Sequence, residues 1–334
     1  MAESQIQNFN HLKIHSQFSI CEGAIKIDDL KEISKEKKIR SLALCDTSNL
    51  CGALEFAEKI SKVGTQPIIG TQINFKLDDT IGLLPLFALN EIGYKRIIEL
   101  SSLSYLNNDG TSDPHLNFDE LLENNEGVAI FSGTINGLVG QLFNKGKFSE
   151  IEKLYSKLKQ KYGDKFYIEI QRHGDQNEIS FEKFNLSQSL NLEISIIATN
   201  EVFYSNKDMY EAHDALICIK NKTYVNEKNR IKYSNQHYLK DNSEMSELFS
   251  DLPEALENNY NFPYRCNFRP HFSKPILPDI SSDKGGNADE ILKKNSLDGL
   301  KDKFKNIFKI QGEDLSKNEK FLLYKDRLDH ELDI

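Results

Sequence analysis

The chain has 334 residues, with 42 Lys and Arg against 51 Asp and Glu, for a net charge of −9. That balance excludes a chain devoted to gripping nucleic-acid phosphates, although a local basic patch can persist on an acidic protein. Its length allows one large domain, or one with a smaller companion, and ample core. The five cysteines are irregularly spaced with no CxxC pair, which reads as reduced, buried thiols of a cytosolic protein. The opening Met-Ala-Glu-Ser-Gln-Ile-Gln lacks the basic-then-apolar order of a signal peptide, and no apolar run approaches the ~20 residues of a membrane span. The expectation is a soluble, cytoplasmic protein with no membrane partner.

In chain order, short β-branched and apolar runs predict strands near 11–15, 40–45, 67–75, 81–88, 127–132, 166–171 and 194–199. Amphipathic stretches between them predict helices near 28–38, 49–63, 91–105, 136–144, 148–162 and 177–191. Helical spacing is visible in Leu50, Leu54, Ala57 and Ile60, and again in Ile151, Leu154 and Leu158. This alternation implies a parallel sheet with helices packed outside it. No Gly-x-Gly-x-x-Gly follows the first strand, so a closed barrel is favoured over a dinucleotide-binding sheet. Barrel chemistry sits at the C-terminal ends of strands, where His15, Asp46, Thr134, His173 and Glu201 fall.

A helix near 205–219 and an acidic helical stretch, Ser243–Leu256, follow. Pro263, Pro270, Pro275 and Pro278 make 263–280 loop-like, and Ser281 to Asn287 has the composition of a linker. The expected division is therefore a barrel domain with its extension over 1–280, a linker over 281–287 and a helical segment over 288–334. The last helix, from about Lys317, places Phe321, Tyr324, Leu328 and Leu332 on one face. It runs to Ile334 without a Gly cap or breaker, which suggests a piece of a longer protein.

The densest chemical signal is at 9–23. In an extended strand, side chains repeat every two residues, so His11, Lys13 and His15 share a face. This is the layout of a His-x-His metal motif with one imidazole replaced by an ammonium, which cannot ligate a divalent ion and repels it. The stretch reads as a dismantled metal site.

Beyond that motif, ordered blocks run through nearly the whole chain: HLKIHSQFSICEGA at 11–24, LALCDTSNLCGALEFAE at 42–58, QPIIGTQINF at 66–75, LFALNEIGYKRIIELSS at 86–102, FYIEIQRHG at 166–174, IIATNEVFY at 196–204 and EMSELFSDLPEALENN at 244–259. Together they resemble the N-terminal part of bacterial DNA polymerase III alpha subunits, which begins with the PHP (polymerase and histidinol phosphatase) domain. KDRLDHELDI at the end resembles the helix that enters the polymerase core of that family. The resemblance implies a distorted (β/α)7 barrel of PHP type followed by a small, mostly helical segment, the start of the polymerase core. Position by position, it places the family's metal ligands at Lys13 and His15, at Glu22, at Thr47 beside Asp46, at Gln72, at Leu83, at Thr134, and at Glu201 with Phe203. Only His15, Glu22 and Glu201 keep donor chemistry, so Lys13, Thr47, Gln72, Leu83, Thr134 and Phe203 count as replaced positions. A multi-metal phosphoesterase must offset several close cations with carboxylates and neutral imidazoles. The expectation is therefore no metal and no catalytic residue here, with Lys13 pairing instead with Glu22 or Glu201.

The resemblance further implies a scaffold for the separate proofreading exonuclease (epsilon) subunit and other holoenzyme subunits. Primer-template DNA would be met through the full-length protein. Mg²⁺ would serve the full polymerase, whose catalytic aspartates lie outside these residues, and Zn²⁺ or Mn²⁺ would matter only in an active PHP site. The alternative is an active metal-dependent phosphoesterase or 3′–5′ exonuclease; a nucleic-acid-binding module is weaker, given the acidic balance. Whether the chain is itself an enzyme, and which residues bind its partners, stay open. For single residues the plain readings are structural. His15 is a hydrogen-bonded barrel histidine, His173 an exposed or loop-bonding one, and Asp46 a helix N-cap. His213 packs or hydrogen-bonds on its helix, and Arg230 with Lys232 forms a solvated face. Ser19 and Cys21 have no general base at fixed spacing.

Overall fold

A computed structural model describes residues 8–108, 110–276, 287–307 and 315–334. Its contacts divide the chain into two units, Met1–Phe272 and Ser273–Ile334. The expected linker lies outside the described residues except for Asn287, as do Pro278 and Ile280.

The first unit runs β1 (Lys13–Ile14), α1 (Ile27–Glu36), β2 (Ser41–Thr47), α2 (Ala53–Ser61), β3 (Gln66–Leu77), β4 (Thr80–Ala88) and α3 (Glu91–Leu106). It continues with β5 (Leu116–Asn117), α4 (Phe118–Glu123), β6 (Val128–Phe131), α5 (Leu138–Asn144), α6 (Phe148–Tyr162), β7 (Phe166–Ile170), α7 (Gln176–Leu192), β8 (Ile196–Ala198) and β9 (Glu201–Val202). Then come α8 (Tyr210–Asn221), α9 (Asn242–Leu248) and α10 (Pro253–Asn261). Hydrogen-bonded neighbours follow the order β8-β7-β6-β4-β3-β2-β1-β9, with β5 beside β3. The two ends of that path, β8 and β9, are consecutive in the chain and separated only by Thr199 and Asn200. One extended stretch thus pairs with β7 through its first half and with β1 through its second, and the sheet curls until its edges are joined.

The sheet is mixed, not parallel as the β-α alternation implies. β4 runs antiparallel to both β3 and β6, because only Asp78 and Asp79 connect β3 to β4 and so short a link permits a hairpin but no crossover. In α2 the buried stripe is Ala53, Phe56, Ala57 and Ile60, one step round from the expected face; in α6, Ile151, Leu154 and Leu158 are buried as the spacing implies. The acidic stretch 243–256 is two helices rather than one. Asp241 accepts from the Glu244 backbone N–H to start α9, and Pro253 opens α10 at the first-turn position where its missing N–H costs nothing. Of the cysteines, Cys45, Cys218 and Cys266 are buried, but Cys51 is exposed and Cys21 half-buried.

Inside the barrel, Ala43, Cys45, Ile68, Phe87, Ala129, Phe131, Tyr167 and Ile197 pack with Phe262, which follows α10 and closes one end. Phe262 meets Phe87, Phe131 and Tyr167 edge-on at 5.2–5.9 Å between ring centres. Asn259 on α10 fixes this end, accepting from Asn10 N–H and donating to the carbonyls of Asn10 and Ala198. The second unit contains α11 (Ala288–Asn306) and α12 (Glu319–Asp333), joined by an edge-on contact of buried Phe304 and Phe321 at 5.3 Å.

Candidate functional site

The strand ends opposite Phe262 form the mouth of the barrel. A small cleft of about 50 Å³ there is lined by His15, Glu22, Thr47, Gln72, Leu83, Thr134, Glu201 and Phe203. These are all the matched ligand positions except Lys13, which lies beneath with no solvent exposure. The register explains the convergence: Lys13 is level with Glu201, and Thr47 with Gln72.

Lys13 Nζ is 3.2 Å from Glu201 Oε1 and 3.5 Å from Glu169 Oε1. The expected pairing with Glu201 is present. The pairing with Glu22 is not, because Glu22 is turned outward to accept from Thr47 Oγ1 at 2.6 Å and to pair with Lys220. Burial alone would push Glu201 up, but the Lys13 ammonium and the His15 hydrogen bond outweigh it and hold this carboxyl well below its ordinary range. Burial also disfavours charge on Lys13, and Glu169 and Glu201 outweigh that, so its pKa is raised. Glu169 stays raised, since burial exceeds what Lys13 returns; it also accepts from Gln171 at 2.8 Å and from Thr199.

His15 sits over this pair, its ring 4.6 Å from that of Phe203. Ser19 Oγ gives its hydrogen to Asp46 Oδ1 at 2.7 Å, so it receives one from His15 Nδ1 at 3.2 Å. Nε2 is left 3.1 Å from both Glu201 Oε1 and Gln72 Nε2. A proton there makes the ring a donor to Glu201; without it the ring accepts from Gln72. Asp46 is not a helix N-cap. It lies within β2, seven residues before the start of α2 at Ala53, and accepts from Ser16 N–H, Ser16 Oγ and Ser19 Oγ at 2.7–2.8 Å. Those bonds fold the turn after β1 over the mouth. Gly23 completes the turn where a Cβ would stand 2.1 Å from Ser16 O.

His173 is buried rather than exposed. Its Nδ1 donates to Glu178 Oε1 at 3.0 Å and its Nε2 accepts from the Glu201 backbone N–H at 3.2 Å. His237 stacks on it at 4.0 Å and donates from Nδ1 to the Glu201 carbonyl at 3.0 Å. Two stacked rings thus hold both sides of the Glu201 backbone, where the chain passes from β8 to β9. Burial lowers His173 to about 3 and places His237 well below its ordinary value. His213 bonds the Glu22 carbonyl at 2.9 Å, off its own helix. Arg230 is not solvated either: it makes a buried bidentate pair with Asp214, at 2.6 and 2.7 Å.

This donor set does not fit a divalent ion. An ammonium lies within 3.5 Å of both carboxylates that such an ion would need, and an amide, an aliphatic side chain and a phenyl ring stand at Gln72, Leu83 and Phe203. Among the described residues, no group of three or more His, Cys, Asp or Glu is arranged to hold a metal. Within the cleft, Ser19 has no free general base, since its hydroxyl already serves Asp46 and His15.

Sequence reasoning missed Glu169, His237 and Lys220. Glu169 had a signal: it is a carboxylate inside the wholly buried strand Phe166–Ile170, a place no charge occupies without a partner. His237 and Lys220 had none, because each meets the site only through long-range folding.

Residues 11–173, just under half of the chain, match the PHP domain model, so this part of the chain is a PHP domain. Over its whole length it is similar to DNA polymerase III alpha subunits. It is 34% identical to that of Caulobacter vibrioides, covering 100% of this chain and 29% of the relative. Against that of Rickettsia conorii it is 36% identical, covering 98% and 28%. The chain therefore spans somewhat more than a quarter of the curated relatives it matches. Among solved structures it is similar to an amidohydrolase from Chromobacterium violaceum, with a TM-score of 0.39 and 9% identity over 62% of this chain and 96% of that one, a likeness too slight to add to the family assignment. No helix among the described residues is long and apolar enough to cross a membrane.

Proposed function

We propose that this chain is a metal-free PHP domain of a replicative DNA polymerase III alpha subunit, acting as a structural element and as a dock for the proofreading exonuclease subunit. The observation that carries this reading is Lys13 between Glu169 and Glu201. An internal cation offsets the charge of the carboxylates, in the place a divalent ion would need. Polymerisation, with its Mg²⁺, primer-template DNA and remaining holoenzyme partners, belongs in this proposal to the full-length protein in the cytoplasm. The competing reading, a Zn²⁺- or Mn²⁺-dependent phosphoesterase or 3′–5′ exonuclease, would need ligands where Lys13, Gln72, Leu83 and Phe203 stand.

The test is elemental analysis of the purified chain after incubation with Zn²⁺ or Mn²⁺ and removal of free metal, beside calorimetric titration with the exonuclease subunit. Substoichiometric metal and a measurable complex are expected. Two or more tightly held ions per chain would overturn the metal-free reading, and no heat of association would overturn the docking role.

A further inference from the structure

One surface lies beside the mouth, with Ile231 and Lys232 on the wall of a cleft that Thr134, His173, Glu201 and His237 share. After α8 the chain runs from Lys222 to Gln236 without a helix or strand, yet it is firmly built. Arg230, its side chain 3% exposed, forms the bidentate pair with Asp214 on α8 and donates onward to the Val225 carbonyl at 3.1 and 3.3 Å. Tyr224 and Glu227 bond each other through Tyr224 N–H to Glu227 Oε1 at 2.9 Å and Glu227 N–H to Tyr224 O at 3.0 Å. Lys220, in the last turn of α8, is tied to Glu22 on the turn after β1.

What this scaffold presents is apolar. Ile219, Tyr224, Val225 and Ile231 are 69%, 74%, 57% and 58% exposed. A loop held by a buried ion pair and left with three large apolar side chains in water, beside Ile219 near the end of α8, has no account within the fold, and exposed apolar groups of this kind mark contact surfaces. Lys222, Lys228 and Lys232 are exposed among them, on a chain whose net charge is −9. An apolar centre with a mainly basic rim, three lysines against the single exposed carboxylate of Glu227, is the pattern of a protein interface whose partner carries the opposite sign.

We infer that the strap 219–232 is a docking surface for a protein segment that sets apolar side chains on Ile219, Tyr224, Val225 and Ile231 and carboxylates against Lys222, Lys228 and Lys232. Single-stranded nucleic acid fits less well, since it stacks on successive aromatic rings, and Tyr224 is the one ring among these four. The inference rests on the docking role proposed above and assigns it a location.

The test uses the whole chain and the exonuclease subunit as probe, titrated by calorimetry. The variant Tyr224→Ser/Val225→Ser/Ile231→Ser is expected to bind about tenfold or more weakly. Lys222→Ser/Lys228→Ser/Lys232→Ser is expected to bind about threefold more weakly at low salt, with the difference vanishing at high salt. Leu190→Ser, at an exposed apolar residue on α7, should leave affinity unchanged, and all three should keep the parent's melting temperature. Parent-like affinity of the apolar variant, with the parent binding well, would overturn this location and leave the docking role standing. Absence of any complex with the parent would sink both. Binding of poly(dT) as tight as that of the exonuclease, lost in the apolar variant, would overturn the assignment to a protein.

Discussion

The two ends of the barrel interior are filled in opposite ways by the same strands. Towards Phe262, strand side chains meet ring to ring and chain to chain, and none of the packed side chains carries a charge, Arg265 only reaching the Tyr167 hydroxyl from outside. Towards the mouth, two to four residues further along the chain from Tyr167, Ile68 and Ile197, inward positions hold Glu169, Gln72 and Glu201, which join Lys13 and His15 in a connected polar network. Close packing tolerates a conservative change with a local loss, whereas a buried charge network depends on every partner being present. One barrel therefore contains a robust end and a conditional end.

The largest effects should separate the ends by mechanism. Lys13→Met leaves two buried carboxylates facing each other without a cation and is expected to cost about 3–5 kcal/mol, read from denaturant unfolding. Lys13→Met combined with Glu169→Gln and Glu201→Gln should recover most of that loss, since the charges go together. A single variant as stable as the parent would remove the ion pair from the account of the mouth. At the other end, Phe262→Ala should cost about 3–5 kcal/mol through the cavity it leaves, with no recovery from any charge change and the same loss at pH 6 and pH 8.

Acid should then act through histidines rather than through the apolar end. Burial lowers His11 to about 4 and His173 to about 3, and His237 lies well below its ordinary value. A base whose folded pKa is depressed binds its proton first in the unfolded chain, so stability is full above about pH 6.5 and falls as pH drops towards the folded values. Each of the three contributes about 1.4 kcal/mol per pH unit in that window. Melting temperature should decline steeply from pH 6.5 to 4.5, and His237→Phe, which keeps a ring on His173, should flatten the decline. An unchanged slope in that variant would show that this stack does not govern acid sensitivity. The smallest effect is expected from Thr47→Val, which removes the hydrogen bond to Glu22 at the rim, about 1 kcal/mol in denaturant unfolding.

Much of the architecture was legible in the sequence because periodicity reports burial. The helices over 91–106 and 148–162 match their spacing almost to the residue, and the strand ends that carry the mouth fall where expected. The failures share a physical origin. The reversal of β4 depends on the length of one connection, which a count of alternating elements overlooks. Asp46 looked like a cap because local patterns precede helices, yet its partners, Ser16 and Ser19, come from another strand's turn. The site was read as a loss of ligands, which the residues at the matched positions allow. That Lys13 would share itself between Glu201 and Glu169 depends on β1 and β7 facing each other across the barrel, and no local signal encodes that meeting.

The passage from β8 to β9 also bears on how the molecule is made. His15 and its partner Glu201 are 186 residues apart, so β1 can pair with β2 early but has no neighbour on its other side until β9 exists. At synthesis rates of about 5–20 residues per second, that wait is on the order of 10–40 s. Throughout it, one edge of the growing sheet has no ladder, and the Lys13 ammonium has no counter-charge until Glu169 is made. Such distant pairing slows folding, and it makes the emergence of residues 196–202 from the ribosome the event on which closure of the whole barrel waits.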